Sequence, residues 1–386
     1  MNPYTEISAH IARSAQLAML LEVSASPKPG NVDREHDFPD TSYEHFLASS
    51  VGVYPVLEEA AGGRKGIGTL LVHAVSESVA WQKGGNTHFG AFLLLIPLAM
   101  AAGEILSEKR EDRCTDGSGP GISGPEKLEG GDLEALVSRA HALVRATDSG
   151  DAVEFYRAFA AGGVRVNSVE EFDLEASSST AELREQNVSL YDLMEISKGY
   201  DLIANEWTTG FRRCLEGAET VLAFMQARNG ESASEENSGK NSEINSEKNS
   251  GKNSEINSEK NFGINHSGTG INEAVVYTFL KLLSRHRDTF IQTKFDAETA
   301  DRASSRARSI LSTWENQDQN SVSGQDSGSD TGLNAGLIAG KRDFRALLPA
   351  LREFDSELLE QRINPGSTAD VIIAGLFIAL LGGLRF

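Results

Sequence analysis

Three short polar segments, each beside a predicted helix end, carry the residues best suited to binding a phosphorylated substrate. The first runs from Ser26 to Asp37, the second from Lys83 to Gly90 and the third from Ile363 to Asp370. Glycine lets the backbone approach a ligand closely, and the unpaired amides at the start of a helix attract anions. The segments therefore predict a single anion-binding site assembled from distant parts of the chain.

The first segment supplies a cation for this site. Lys28 lies between Pro27 and Pro29, which stiffen the backbone around a long cationic side chain suited to phosphate. We expect glycines, small polar side chains and helix-start amides to complete the site. The predicted substrate-binding and phosphate-binding residues are Lys28, Gly30, His36, Gly85, Asn86, Thr87, Gly366, Ser367 and Thr368. The alternative interpretation is that the hydroxyl and amide side chains among them only cap helices.

Carboxylates and histidines within the same segments are the candidates for acid–base chemistry and for binding Mg²⁺, which prefers oxygen ligands. The predicted catalytic residues are Asp33, Asp37, His88 and Asp370. The predicted metal ligands are Asp33, Asp37 and Asp370. The alternatives are a cap or turn role for Asp33 and Asp37, an interaction with the helix dipole for Asp370, and a structural hydrogen bond for His88.

Taken in order, the segments resemble the family of ATP-dependent triphosphoribosyl-dephospho-CoA synthases, which assemble the precursor of the prosthetic group of citrate and malonate decarboxylases. The family pattern is approximately Pro-Lys-Pro-Gly-Leu-Val-Asp, then His-x-Asp-Met, then Gly-Gly-Val-Asn-Thr-His-Lys-Gly, then Ser-Pro-Gly-Gly-Ser-Ala-Asp. The corresponding residues here are Pro27 to Asp33, His36 and Asp37, Lys83 to Gly90, and Asn364 to Asp370. Residues Arg287 to Ile291 resemble a further Asp-Thr segment of the family.

The resemblance implies a transferase that moves a triphosphoribosyl group from ATP to 3′-dephospho-CoA and releases adenine, with Mg²⁺ as cofactor. Several positions depart from the family pattern. Asn31 replaces an apolar residue, and Phe89 stands where a lysine is usual. These departures leave open two alternatives, which are phosphoribosyl transfer to another coenzyme precursor, such as a pterin carrier, and a noncatalytic nucleotide-binding helical protein.

Composition narrows the class of protein further. The 386 residues carry a formal net charge of −20, which disfavours a nucleic-acid partner because a polyanion requires a cationic surface. The two cysteines, Cys114 and Cys214, form no paired spacing, as expected in a reducing compartment. The apolar run from Val371 to Leu384 is shorter than the roughly 20 residues of a membrane-spanning helix. We expect a cytoplasmic enzyme without a membrane partner.

Helical periodicity dominates the chain and predicts an all-α, multi-helix bundle of about ten helices in a single domain, residues 1–386. The predicted helices cover 4–23, 42–61, 67–82, 88–106, 132–147, 151–160, 190–228, 271–286, 296–314, 342–361 and 367–384. Low-complexity or flexible insertions are predicted at 107–131, 230–268 and 315–335. The second contains a duplicated polar segment, 239–250 and 251–262, which has too few apolar residues to form a core.

Overall fold

The computed structural model describes residues 3–85, 87–115, 127–162, 179–240, 270–316, 337 and 339–386. The described residues form α-helices and one 3₁₀ turn, Phe344–Ala346, and contain no β-strand. The helices are α1 Pro3–Ser24, α2 Tyr43–Gly52, α3 Tyr54–Ala61, α4 Ile67–Ala80, α5 Phe89–Thr115, α6 Asp132–Arg145, α7 Ser149–Gly162, α8 Ser179–Glu185, α9 Leu190–Ser197, α10 Leu202–Thr209, α11 Arg212–Lys240, α12 Ile271–Arg285, α13 Thr289–Lys294, α14 Ala297–Asn316, α15 Leu348–Glu360 and α16 Gly366–Leu381. The predicted all-α fold is confirmed.

Helix α16 lies at the centre of this fold, where it packs against α1, α5, α11 and α12. Every residue from Ser367 to Leu381 is buried except Asp370, which is half-buried. A helix that is apolar on all sides is expected to be surrounded by other helices. One cluster of buried apolar side chains extends from Ile7 to Leu384. Asp370, the one charged residue of α16, is therefore placed at the edge of the core.

Helix α5 is the second core helix. Between Phe89 and Arg113 it is long and apolar enough to cross a membrane, judged by length and composition only. However, 89% of its 18-residue apolar stretch is buried inside the fold. There α5 packs against α1, α3, α4 and α6. Core helices reach this composition because neighbouring helices cover them on every side.

Three of the predicted helices are interrupted, and in one of them, 342–361, the 3₁₀ turn Phe344–Ala346 precedes α15. The predicted helix 42–61 divides into α2 and α3 at Val53, just before Pro55 in the first turn of α3. The predicted helix 190–228 divides into α9, α10 and α11. Asp201 caps the start of α10 by accepting hydrogen bonds from two backbone amides, and Gly210 ends α10 in the left-handed conformation, with φ 78°. The short helices α8 and α13 were not predicted.

The helices also extend into the predicted insertions. Helix α5 continues to Thr115, α11 to Lys240 and α14 to Asn316, so the predicted helix ends at 106, 228 and 314 are too early. Charged residues with good helix propensity continue α5 beyond its apolar stripe, whereas the extension of α11 contains glycine, serine and asparagine, which favour helices less. The duplicated segment lies outside the described residues, apart from its first two positions at the end of α11.

Candidate active site

The loop between α1 and α2 is anchored to two distant helices. Asn272, at the start of α12, accepts a hydrogen bond from the backbone N–H of Ser26 at 3.0 Å and donates one to the Ser26 carbonyl at 2.8 Å. On α15, Asp355 accepts the backbone N–H of Gly30 at 2.9 Å. Gly30 has a φ of 72°, and a Cβ there would lie 2.4 Å from the Ile363 carbonyl oxygen. The loop conformation therefore requires glycine at position 30.

This loop places Lys28 inside the protein instead of on its surface. The Lys28 side chain is fully buried, and its Nζ donates a hydrogen bond to Oε1 of Glu22 at 2.5 Å. Glu22 lies in the last turns of α1 and is also buried. Burial raises the pKa of Glu22, and the charge of Lys28 partly offsets this effect. Lys28, which was predicted to bind phosphate, is thus a member of a buried ion pair, and the sequence did not single out its partner Glu22.

Asp33 closes the turn that follows Lys28. Its Oδ2 accepts the backbone N–H of Lys28 at 3.2 Å, and its Oδ1 accepts those of Glu35 and His36 at 2.7 and 3.1 Å. Asp33 is fully buried. Both carboxylate oxygens are engaged by backbone donors, so this geometry favours the turn role of Asp33 over a metal-binding or basic role.

His36 and Asp37 lie at the outer side of the same turn. His36 is half-buried, with Nδ1 3.4 Å from Oδ2 of Asp355 and 3.6 Å from Oδ1 of Asp33. Asp37 is exposed, and its Oδ1 accepts the backbone N–H of Tyr43 at 2.8 Å, where α2 begins. This contact caps the start of α2, and the catalytic and metal-binding roles of Asp37 stay predictions.

The second polar segment forms a turn that Gln82 closes. Its Nε2 donates to the Gly85 carbonyl at 2.7 Å, and its Oε1 accepts the Gly84 N–H at 2.5 Å. Gly85 has a φ of 70°, which favours glycine. The predicted substrate-binding residue Asn86 lies outside the described residues. The turn places Thr87 and His88 immediately before α5.

His88 is linked to Thr87 through two serines. Its Nδ1 lies 2.8 Å from Oγ of Ser49, Ser49 Oγ lies 2.7 Å from Oγ of Ser78, and Ser78 Oγ lies 3.4 Å from Oγ1 of Thr87. Burial and the nearby charge of Lys28 lower the pKa of His88 to about 3. His88 is therefore neutral at physiological pH and is a weak base. Its Nε2 is buried without a hydrogen-bond partner.

Asp370 joins the third segment to the second. A Cβ on Gly90 would lie 2.2 Å from Oδ2 of Asp370, so the carboxylate lies directly against the first turn of α5. Burial raises the pKa of Asp370 well above its usual value, and the negative charges of Glu22, Asp288 and Asp201 act in the same direction. A hydrogen bond from the Ala91 amide opposes them. Asp370 thus lies where acidic groups from several segments converge.

Asp288 fixes the start of α16 against α13. Its Oδ2 accepts the backbone N–H and the hydroxyl of Thr368, each at 2.7 Å. Its Oδ1 accepts two backbone amides in the first turn of α13. Thr289 Oγ1 lies 3.1 Å from Ser367 Oγ, and the ring of Phe290 would be 3.1 Å from a Cβ on Gly366. The hydroxyls predicted to contact phosphate are therefore already paired within the protein.

The described residues contain no group of three or more His, Cys, Asp or Glu side chains arranged to hold a metal ion. Mg²⁺ commonly uses only one or two protein carboxylates together with substrate phosphates. Asp370, which is half-buried and bonded to one amide, retains acceptor capacity. The Glu22 carboxylate accepts one hydrogen bond, from Lys28, and therefore also retains acceptor capacity. These two carboxylates fit a Mg²⁺–phosphate complex better than the saturated Asp33 does.

The chain matches the CitG family model, described as ATP:dephospho-CoA triphosphoribosyl transferase, over residues 8–237 and 262–385. It belongs to this family and is a transferase. The interval between the two matched ranges contains most of the duplicated segment. The noncatalytic alternative is thereby set aside.

A solved structure from Archaeoglobus fulgidus, provisionally assigned as a triphosphoribosyl-dephospho-CoA synthase, has a similar fold. The TM-score is 0.53 at 24% sequence identity, and the similarity covers 89% of this chain and 100% of the other. This likeness shows a shared fold. No curated protein matches the chain.

Proposed function

We propose that this protein transfers the triphosphoribosyl group of ATP to a hydroxyl of 3′-dephospho-CoA and releases adenine. The observation that carries the proposal is the family match, which spans the residues before and after the duplicated segment. Lys28, His88 and Asp370 come one from each polar segment. The charge of Lys28 acts on His88, and the charge of Glu22, the ion-pair partner of Lys28, acts on Asp370, so the three side chains lie near one another. Such convergence supports a common substrate site.

The proposed reaction exchanges one bond at the ribose C1′ atom. The bond from C1′ to adenine N9 breaks, a bond from C1′ to the acceptor oxygen forms, and the hydroxyl proton ends on adenine. Lys28 and the neighbouring loop bind phosphate oxygens in this scheme, and His88 acts as a neutral hydrogen-bond donor. Glu22 and Asp370 would hold Mg²⁺ together with the substrate phosphates, and the ion would supply the positive charge that the triphosphate requires.

The direct test is to incubate the purified protein with ATP, Mg²⁺ and 3′-dephospho-CoA. Free adenine is measured by chromatography, and the triphosphoribosylated product is identified by mass spectrometry. Adenine release that depends on the acceptor is the expected result. Release at the same rate without the acceptor, or no release in its presence, would refute the proposal.

Phe89 favours a second candidate, phosphoribosyl transfer to a different coenzyme precursor. Phe89 is buried, and its ring centroid lies 4.4 Å from that of Phe159 and 5.9 Å from that of Phe155. An aromatic core contact thus occupies the position where a lysine is usual, which lowers the positive charge available to a triphosphate. Incubation with phosphoribosyl diphosphate as donor and a pterin as acceptor tests this candidate, with release of diphosphate and the mass of the phosphoribosylated pterin as the measurements.

A further inference from the structure

Three buried polar atoms near Lys28 have no hydrogen-bond partner in the described structure. They are Oγ of Ser26, Nδ2 of Asn31 and Nε2 of His88. Ser26 and Asn31 are each 4% exposed, and His88 is 1% exposed. Most buried polar groups in proteins are paired, because leaving one without a partner is unfavourable. Two of these atoms lie in the loop around Lys28, and the third belongs to a side chain on which the charge of Lys28 acts, so a single ligand bound here would supply partners for them.

All three atoms belong to groups that can donate hydrogen bonds. The Ser26 hydroxyl and the NH₂ group of the Asn31 side chain are hydrogen-bond donors by their chemistry. For His88, a hydrogen bond donated by Ser49 to Nδ1, over 2.8 Å, leaves the proton of the neutral ring on Nε2. Ser78 and Thr87 continue this chain of hydroxyls, in which each contact allows either direction of the hydrogen bond. The unpaired groups are therefore suited to an acceptor-rich ligand.

Two of the three donors, Ser26 and Asn31, lie within three residues of Lys28 in the same loop. Asn31 donates its backbone N–H to the Lys28 carbonyl at 3.0 Å, so the loop turns tightly around the lysine. The charge of Lys28 also acts on His88. Donors beside a buried ammonium group match the oxygens of a phosphate group, which accept several hydrogen bonds at once.

We propose that Ser26, Asn31 and His88 form a donor subsite for a phosphate group of the nucleotide substrate, with Asn31 as a specificity-determining residue of this chain. The identity of the nucleotide rests on the proposed function, whereas phosphate binding does not. Asn31 stands where the resembled family pattern has an apolar residue. A buried amide without a partner is unfavourable in the free protein and becomes useful when a ligand accepts its hydrogen bond.

The test compares the wild-type protein with Asn31→Leu by calorimetric titration with Mg²⁺–ATP and, separately, with inorganic triphosphate. We expect both probes to bind about tenfold or more weakly to the variant, because a hydrogen bond to a charged group is lost. The melting temperature should stay the same or rise, since the variant no longer buries an unpaired amide. A merely structural role would instead lower the melting temperature and leave binding unchanged.

Two further variants complete the design. Asn31→Ala removes the amide and leaves a smaller side chain, so it shows whether weaker binding by Asn31→Leu results from overpacking. Thr278→Val is the matched control, since it removes a buried hydroxyl on α12 that bonds to the Ala274 carbonyl. Its affinity for both probes should equal that of the wild type.

Wild-type affinity in both Asn31 variants would overturn the subsite, as would a wild-type protein that binds neither probe. The adenine-release assay separates this result from the proposed function. Normal transfer to 3′-dephospho-CoA with unaltered binding by Asn31→Leu would refute the subsite alone. Asn31-dependent binding without acceptor-dependent adenine release would retain the subsite and refute the proposed function.

Discussion

Gly90 and Asp370 fit against each other at the point where the first turns of α5 and α16 meet. The carboxylate of Asp370 occupies the space that a side chain at position 90 would need, with Oδ2 2.2 Å from the ideal Cβ position. The Ala91 amide donates a hydrogen bond to the same carboxylate. The absence of a side chain at Gly90 thus allows a charged group of the core helix α16 to reach the start of α5.

Gly90→Ala should displace the Asp370 carboxylate and greatly reduce transferase activity. Misplacement of a catalytic group by about 1 Å commonly lowers the rate by about 100-fold. Acceptor-dependent adenine release is the measurement. Gly199→Ala is the control, because a Cβ at Gly199 meets no atom within 4 Å and the residue is exposed. Equal activity in the two variants would show that the contact between positions 90 and 370 has no catalytic importance.

Asp370→Asn should abolish most activity and preserve the fold. Asparagine retains the size of aspartate but cannot supply the negative charge that we assign to binding Mg²⁺. Asp192→Asn is the matched control, since Asp192 is also in a first helical turn but is exposed and serves the capping box of α9. Adenine release and its dependence on Mg²⁺ concentration are measured for both. Wild-type turnover by Asp370→Asn would remove Asp370 from the site.

Lys28→Met should destabilise the protein strongly, because it leaves the Glu22 carboxylate buried without its partner. Loss of one member of a buried ion pair lowers the free energy of unfolding by about 3–5 kcal/mol. The double variant Lys28→Met, Glu22→Gln should recover part of this loss, because it buries no unpaired charge. Urea denaturation provides the values. Lys198→Met breaks an exposed pair with Glu195 and should have little effect.

His88 should make the protein less stable as the pH falls. Its pKa is about 3 in the folded state and 6.5 ordinarily, so between these values the unfolded state binds more protons. The stabilisation associated with neutral His88 is complete above pH 6.5 and declines by up to about 1.4 kcal/mol per pH unit toward pH 3.

The check is the free energy of unfolding at several pH values for the wild type and for His88→Asn. Comparison with the variant subtracts the opposite contribution of buried carboxylates such as Asp370, whose raised pKa stabilises the fold at lower pH. The wild type should lose more stability than the variant on acidification. His73→Asn, at a half-buried position on α4, should behave as the wild type. Parallel curves for the wild type and His88→Asn would contradict the prediction.

Asn272→Ala should impair nucleotide binding more than it impairs folding. The variant loses both hydrogen bonds that hold the Ser26 backbone, so the loop carrying Lys28 is released from α12. We expect a loss of about 1–3 kcal/mol in stability and a raised KM for ATP. Asn205→Ala removes the side-chain contacts of an amide in α10 and is the control. A KM equal to that of the wild type would assign Asn272 a purely structural role.

The residues of the three polar segments illustrate how far the sequence was informative. Residue type and neighbouring turns predicted Lys28, His88 and Asp370 as site residues. In the structure the charge of Lys28 acts on His88, and the charge of its partner Glu22 acts on Asp370. Glu22 was missed although it is the one acidic residue in an apolar stretch of α1, which was the available signal. Asn272 gave no such signal, because its contact with the loop crosses most of the chain.

The amino-acid sequence by itself determined the all-α class and the location of most helices, because helical periodicity is a local property of the chain. It also determined which residue types occupy the polar turns. Only the tertiary structure decided which of those side chains remain available to a substrate. Asp33 and Thr368 are engaged by backbone and side-chain partners, whereas Asp370 retains acceptor capacity. The reason is physical: hydrogen-bonding capacity is filled by whichever groups packing brings close, and distant helices supply many of them.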